Sequence, residues 1–299
     1  MISVIGIGKV GAAFAFLAAY SSIDDLVLVN RTKNKAVGEL LDVVNTVPQK
    51  SKISIKATDD ISDVKDSEVI VITVGGGVIK EDRNDLIPFT SPIISSLAKE
   101  LRKYASKSKI VVVTNPVDVM TYQLLQETGF SKNQIIGMGS NLDSSRFRYL
   151  LAKSQNVNQV QIEGTVIGEH GPTMVPLFSL SKVMGTKIEL NKEKMMEITL
   201  ELRNYWKNLH AYKGASVFGA AKHAFDIVEA IVKNNELSIS SSVLLDGEYG
   251  HHDVCVGVPV IINKNGVKKI NEYSIDKTES DLLTISANRV KEGIKKISN

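Results

Sequence analysis

The run Gly6-Ile7-Gly8-Lys9-Val10-Gly11 constrains this chain more than any other segment. It lies between the β-type run Ile2 to Ile5 and the apolar stretch Gly11 to Tyr20, Gly-Ala-Ala-Phe-Ala-Phe-Leu-Ala-Ala-Tyr. In a strand–turn–helix unit the first glycine permits the tight turn. The second lets a pyrophosphate approach the backbone, and the third lets helix and strand pack closely. The helix start adds unpaired N–H groups and partial positive charge for phosphates. Dinucleotide binding is the expectation, with Gly6, Gly8, Lys9, Val10 and Gly11 forming the loop. The apolar stretch could also pass for a signal-peptide core. It has no basic stretch before it apart from Lys9, glycines interrupt its approach, and it is too short to span a bilayer. A buried helix behind a nucleotide loop explains it better, so the expected compartment is the cytoplasm, with no membrane partner.

Strand and helix patterns alternate through the first half. Leu26 to Val29 reads as a strand, Lys35 to Val47 as a helix and Ile53 to Ala57 as a strand. Val69 to Val74 is a continuous β-branched run of the kind buried on both faces. Ser91 to Tyr104 has helical spacing, and Ile110 to Thr114 is a further strand stopped by Asn115-Pro116. This rhythm predicts a doubly wound parallel α/β sheet of the Rossmann kind. The second half changes character, with helices at about Lys192 to Leu209, Ala215 to Lys233 and Ser280 to Lys296. Between them lie the β-rich pieces Ser238 to Leu245 and Val254 to Asn263, and Lys264-Asn265-Gly266 marks a turn. The expected organisation is a dinucleotide-binding domain over 1–138 and an α+β catalytic domain over 139–299, divided near Gly137 to Asn141. Its 299 residues suffice for two domains.

The basic residues number 36 and the acidic 33, with no run of like charge, so nucleic acid is not an expected partner. The single cysteine, Cys255, sits in an apolar run and is expected to be a buried, inert thiol. One cysteine and no CxxC give a structural zinc site no support.

The second strand refines the coenzyme reading. A NAD site normally ends this strand in Asp or Glu, which accepts hydrogen bonds from the adenosine ribose. Here the strand runs into Asn30-Arg31-Thr32-Lys33. Asn30 does not repel a 2′-phosphate, Arg31 can bind one, and Thr32 offers a hydroxyl. NADP(H) is expected to serve at least as well as NAD(H). The alternative is that Arg31 is a solvated turn residue and both coenzymes are tolerated.

Asp143 and Arg146 stand three apart in Leu142-Asp143-Ser144-Ser145-Arg146-Phe147-Arg148, and His170 follows in Gly168-Glu169-His170-Gly171. On a helix the first two share a face. A guanidinium grips a carboxylate through two parallel bonds, and an imidazole moves a proton near neutral pH under the control of an Asp. A helix-surface ion pair plus an unrelated loop histidine is the bland alternative. His210 and His223 fall in helical stretches, and His251 and His252 in an expected turn. None has a neighbouring Asp-x-x-Arg element.

Taken together, these segments resemble the lactate/malate dehydrogenase family over essentially the whole chain, closest to its archaeal-type, lactate-dehydrogenase-like malate dehydrogenases. The similar segments include the glycine loop, Thr114-Asn115-Pro116-Val117-Asp118, the Asp143 and His170 segments, Lys213-Gly214-Ala215-Ser216 and Gly257-Val258-Pro259-Val260. The resemblance implies His170 as the general acid in ketone reduction and the base in alcohol oxidation, oriented by Asp143. It implies Arg146 on the substrate C1 carboxylate, Asn115 on the reacting oxygen and Ser216 lining the pocket. It also implies a mobile loop whose Arg83 polarises the carbonyl. Val74, Gly75, Val113 and Asn115 join the coenzyme-binding set. A homodimer or homotetramer is the expected assembly. The apolar stretches Phe14-Ala15-Phe16 and Val217-Phe218-Gly219 read as core or subunit contacts, with core preferred.

The loop departs from the family pattern. Malate-specific relatives place a second Arg about six residues before the loop Arg, and here that position is Gly77. Lys80 meets a distal carboxylate as a point charge, or Val78 or Ile79 faces the pocket and a monocarboxylate fits. Pro172, where lactate-type relatives have Asp, is a smaller departure. The expected activity is NAD(P)-dependent oxidoreduction of a small 2-hydroxy or 2-keto acid, malate and oxaloacetate first and lactate second. The competing reading from another class is a dinucleotide-sensing module without catalysis.

Overall fold

In the computed structural model, residues 1–75 and 80–297 are described. Six short strands run parallel: β1 (Ile2–Ile5), β2 (Leu26–Val29), β3 (Ile55–Thr58), β4 (Val69–Ile72), β5 (Lys109–Val112) and β6 (Ile135–Gly137). Their order is β3-β2-β1-β4-β5-β6, so the direction of travel reverses between β1 and β4. Val69, Ile70, Val71 and Ile72 are fully buried, as an apolar run without alternation requires when helices cover both faces. The strands expected at Val69 to Val74 and Ile110 to Thr114 stop two residues early, at Ile72 and Val112. Thr73 and Thr114 leave the sheet, and their hydroxyls donate to the carbonyls of Gly6 at 2.5 Å and Val74 at 2.7 Å.

The connecting helices are α1 (Lys9–Ser21), α2 (Lys33–Val43), α3 (Ile87–Tyr104) and α4 (Val117–Thr128). α2 gives way to a 3-10 turn at Val44–Thr46 rather than continuing to Val47. α3 starts at Ile87, four residues earlier than expected, because Pro88 lies in its first turn, where no N–H donor is needed. α5 (Ser140–Gln155) then carries the chain away from the parallel sheet.

The second half adds short strands β7 (Ile162–Glu163), β8 (Val166–Ile167), β9 (Val175–Pro176), β10 (Lys182–Val183) and β11 (Thr186–Lys187). Helices α6 (Lys192–Lys213) and α7 (Phe218–Val232) follow, then the meander β12 (Leu237–Asp246), β13 (His252–Asn263) and β14 (Gly266–Ile270), and finally α8 (Lys277–Lys295). α6 outruns its expected end and stops at Gly214, which takes the left-handed conformation (φ 82°) that favours glycine. α8 begins three residues early because Asp276 and Glu279 form a capping box, each side chain accepting the other's backbone N–H. His251 lies in the expected turn, whereas His252 opens β13.

The meander does not form a sheet of its own. β12 pairs antiparallel with β6 at Ser242 and Gly137, which extends the parallel sheet to nine strands. One core runs through both halves, from Ile70 and Phe14 to Val256 and Ile227. α7 packs on α1, with the Phe14 and Phe225 rings 6.3 Å apart. Phe14 and Ala15 are buried, but Phe16 is 44% and Phe218 70% exposed and neither Val217 nor Gly219 is buried, so the core reading holds for Phe14-Ala15 alone. Cys255 is buried as expected. Among the described residues no helix is long and apolar enough to cross a membrane.

The junction needs Gly137. A Cβ there would lie 2.5 Å from Thr121 Oγ1 and 2.7 Å from Ser242 Cβ. G137A is expected to lower stability by about 1–3 kcal/mol, read as the denaturant midpoint at unchanged slope.

Candidate active site

The crevice lies beyond the carboxyl ends of β1, β4 and β5, where strand order reverses and open α/β sheets bind ligands. Gly6 has φ +96°, and a Cβ on it would come within 2.8 Å of Val74 N. A Cβ on Gly11 would lie 2.5 Å from the Gly6 carbonyl oxygen. Both glycines are therefore explained by the protein itself. Gly8 is different. Nothing in the described chain lies within 4 Å of a Cβ there, and Gly8 is exposed at the N-cap of α1. Its bare backbone suits the close approach of an external group. Lys9 is exposed, Val10 is half-buried against the core, and the first turn of α1 has no acidic residue to repel phosphate. Val113 is half-buried behind β5 and Gly75 is exposed.

At the end of β2, Asn30 Nδ2 donates to the Thr32 carbonyl at 3.0 Å, which folds the turn. Arg31 and Thr32 are exposed, and neither side chain has a polar partner among the described residues.

The cluster of Asp143, Arg146 and His170 comes from two segments. α5 places Asp143 and Arg146 one turn apart, and the loop after β8 brings His170 onto them. Asp143 is fully buried; His170 and Arg146 are nearly so. Asp143 Oδ2 lies 2.5 Å from His170 Nδ1, and Asp143 Oδ1 accepts from Arg146 Nη1 at 3.3 Å. Arg146 Nη2 donates to Ser216 Oγ at 3.1 Å, and the guanidinium lies 5.2 Å from the centre of the Tyr205 ring. Arg83, in the 3-10 turn Arg83–Leu86, donates to the His170 carbonyl. Gly139 lets His170 in: a Cβ on it would be 2.8 Å from His170 Cβ and 2.9 Å from Val117 Cγ1. Asn115, two residues before Val117, is half-buried, and its Oδ1 has no partner among the described residues. A cleft of about 270 Å³ opens beside Arg146 and is bordered by Ser145, Tyr149, Tyr205 and Ser216. His170 is not on its wall.

The electrostatics suit proton transfer. Burial pushes His170 below the ordinary histidine value of 6.5, and the Arg83 guanidinium pushes the same way, against Asp143. Burial would raise Asp143, but His170, Arg146 and Arg83 hold it below the ordinary carboxylate value. The resting pair is thus a neutral imidazole beside a carboxylate. Nδ1 faces Asp143, so the ring carries its proton there and leaves Nε2 as the acceptor.

Residues 1–137 match the lactate/malate dehydrogenase NAD binding domain, and residues 140–299 match the lactate/malate dehydrogenase alpha/beta C-terminal domain. The chain belongs to the lactate/malate dehydrogenase family. It is 35% identical to a malate dehydrogenase of Staphylococcus saprophyticus, covering 97% of this chain and 96% of the relative. It is also 33% identical to an L-lactate dehydrogenase of Treponema denticola, over 97% and 96%. The lactate dehydrogenase of Cryptosporidium parvum, solved with lactic acid and nicotinamide adenine dinucleotide, superposes with a TM-score of 0.94 at 31% identity. That alignment covers 100% of this chain and 98% of the other. Family membership settles the doubly wound fold and the oxidoreductase class expected above, and it favours catalysis over a mere sensing module.

Not every expected site residue joins the cluster. Lys80 is exposed and has no polar partner among the described residues, while its neighbour Glu81 reaches Lys207 of α6 at 3.9 Å. Gly77, Val78 and Ile79 lie outside the described residues. His223 is buried in α7, its Nδ1 3.1 Å from the Asn141 amide and 3.5 Å from Asp226 Oδ2, and stands apart from the cluster. Three residues given no role above prove to be close to the cluster. Tyr205 faces Arg146. Glu169 is buried and holds Arg289 and Thr173. Asp118 Oδ2 accepts the His170 N–H at 2.7 Å, and its Oδ1 has no partner among the described residues. Asp118 lies within a quoted segment, and a buried carboxylate there has no signature a sequence reader can separate from a helix-start acid.

Burial pushes Asp118 up to about 7. As pH rises above its ordinary value of 3.8, the unfolded chain releases this proton while the folded chain keeps it until about 7. The group therefore costs folding stability that grows across that window and is complete above it. D118N keeps an acceptor for the His170 N–H and cannot ionise. Its Tm relative to the wild type is expected to climb between about pH 4 and about pH 8. A pH-independent difference in thermal scans would contradict the raised value.

Proposed function

We propose that this chain interconverts a 2-hydroxy acid and its 2-keto acid with a nicotinamide dinucleotide, malate and oxaloacetate being the first choice of substrate pair. The observation that carries this reading is the buried His170–Asp143–Arg146 cluster. When bound, the nicotinamide supplies or takes up the hydride. The rest falls to the chain. Arg146 is steadied by Asp143 and Ser216 and has N–H groups left for the substrate carboxylate. His170 Nε2 takes the hydroxyl proton in oxidation and returns it in reduction, and Asp143 stabilises the imidazolium that forms. Arg83 supplies positive charge beside the reacting oxygen. Asn115 hydrogen-bonds that oxygen, and Ser216 lines the pocket.

The coenzyme loop is assigned to Gly6, Gly8, Lys9, Val10 and Gly11, with Val74, Gly75, Val113 and Asn115 along the crevice. Asn30, Arg31 and Thr32 support NADP(H) as at least an equal of NAD(H), since the acid that would repel a 2′-phosphate is missing. We assign 1–138 to the coenzyme and 139–299 to the substrate, although Arg83 and Asn115 reach across from the first part. The exposed Phe16, Tyr20 and Phe218 support a homo-oligomer. Lactate or another 2-hydroxy monocarboxylate is the second reading, favoured by the absence of an arginine six residues before Arg83.

Steady-state reduction of oxaloacetate and pyruvate, each with NADPH and with NADH, tests the assignment. Oxaloacetate is expected to lead, with NADPH at least equal to NADH. Pyruvate in the lead moves the substrate to the monocarboxylates and leaves the proton chemistry standing. A hundredfold preference for NADH, about 2.7 kcal/mol, overturns the role given to Arg31.

The pH dependence follows from His170. Oxidation needs the neutral ring, so kcat/KM for the hydroxy acid rises with pH and levels off above the pKa of His170. Its midpoint is expected below 6.5 because burial and Arg83 disfavour the imidazolium. Reduction needs the imidazolium and is expected to fall through the same midpoint. H170Q should abolish both limbs along with at least about 10²-fold of the rate.

A further inference from the structure

α8 presents Ser286, Arg289 and Gly293 along one face, at spacings that align residues on a helix. Each touches a segment next to the candidate site. Ser286 Oγ accepts the Glu169 N–H at 2.6 Å. Arg289 Nε donates to Glu169 Oε1 at 3.2 Å, and Arg289 Nη2 donates to Asp82 Oδ2 at 2.6 Å. A Cβ on Gly293 would lie 3.2 Å from Asn84 Oδ1, so the helix lies directly against the turn Arg83–Leu86. Asp82 caps that turn, its Oδ1 accepting the Asn84 N–H at 2.9 Å. Asp82 immediately precedes Arg83, and Glu169 immediately precedes His170.

We propose that Arg289 is a positioning residue for the reaction, one guanidinium that fixes the turn carrying Arg83 and the loop carrying His170 relative to each other. The inference rests on the dehydrogenase reading above. A surface ion pair contributes little, and the Asp82 end of this network is 41% exposed, but its Glu169 end is buried. Glu169 is 5% exposed, and Arg289 is its one salt-bridge partner among the described residues. The same guanidinium reaches a carboxylate 207 residues away in sequence. A planar fork holds two carboxylates at fixed angles, which a lysine cannot do. Arg83 in turn donates to the His170 carbonyl, so a shift of its turn is felt at the loop that aims the imidazole.

The test compares wild type, R289Q and R289K for kcat and KM in keto acid reduction, NADH affinity by coenzyme fluorescence, and amide exchange at Asn84 and His170. R289Q is expected to lose on the order of ten- to a hundredfold in kcat/KM, mainly in kcat, with NADH affinity held within about twofold. R289K is expected to recover part of the loss, and exchange at both amides to quicken in R289Q. Full activity in R289Q overturns the proposal, as does a parallel loss of activity and NADH affinity, which marks a merely structural role. If the wild type reduces no keto acid, the dehydrogenase reading fails instead, and the exchange rates alone decide whether Arg289 fixes the two segments. Should R289Q not fold, D82N takes its place: asparagine caps the turn as well as aspartate does but forms no ion pair. The same loss is expected from it, and wild-type behaviour overturns the proposal.

Discussion

A carboxylate with no exposed surface governs this molecule. Asp143 cannot be left unpaired at that depth, because an uncompensated buried charge costs several kcal/mol. It is satisfied by His170 on one oxygen and Arg146 on the other, so the two groups that the proposed reaction needs side by side are also the two that make the carboxylate tolerable. The local fold answers to the same demand. α5 supplies the one-turn spacing, and Gly139 leaves the space His170 occupies. The Asp118 carboxylate holds the His170 backbone from the other side.

The nine-stranded sheet carries these constraints across the chain. β6 ends at Gly137, three residues before α5 begins, so the position of Asp143 is set by the last parallel strand. β12 docks on that strand at Gly137, and β13 bonds to the loop before His170 through a two-way bridge between Gly168 and Gly257. The antiparallel meander thus tethers the histidine loop to the sheet that presents the aspartate. The largest core joins the two halves, while the second half adds two smaller clusters of its own, around Phe147 and around Ile167.

What the sequence made legible was local. The glycine loop, the buried β-branched strands and the Asp-x-x-Arg spacing each express a rule that acts within about ten residues. The ends of α3, α6 and α8 were misplaced because they turn on caps and a proline whose effect is decided by one or two residues. Asp118, Tyr205 and Arg289 carry no local signal for another reason. Their partners are 52, 59 and 120 or more residues away, and no periodicity reports such a meeting. Glu169 could have been suspected, since an acid beside a candidate catalytic histidine calls for a cation, but nothing in the sequence said which one.

The charge balance around His170 gives substrate a second role in the proposed reaction. Burial disfavours the imidazolium most, Arg83 and Arg146 add to it, and Asp143 opposes them. The resting site is therefore biased toward a neutral histidine, the state suited to oxidation. A keto acid carboxylate seated on Arg146 offsets one of the two positive charges. That removes part of the opposition to protonation and favours the imidazolium that reduction requires. Binding of an anion and protonation of His170 then reinforce each other by linkage. The hydroxy acid carries the same carboxylate, so this linkage assists reduction and works against oxidation, which relies instead on the resting bias toward the neutral ring.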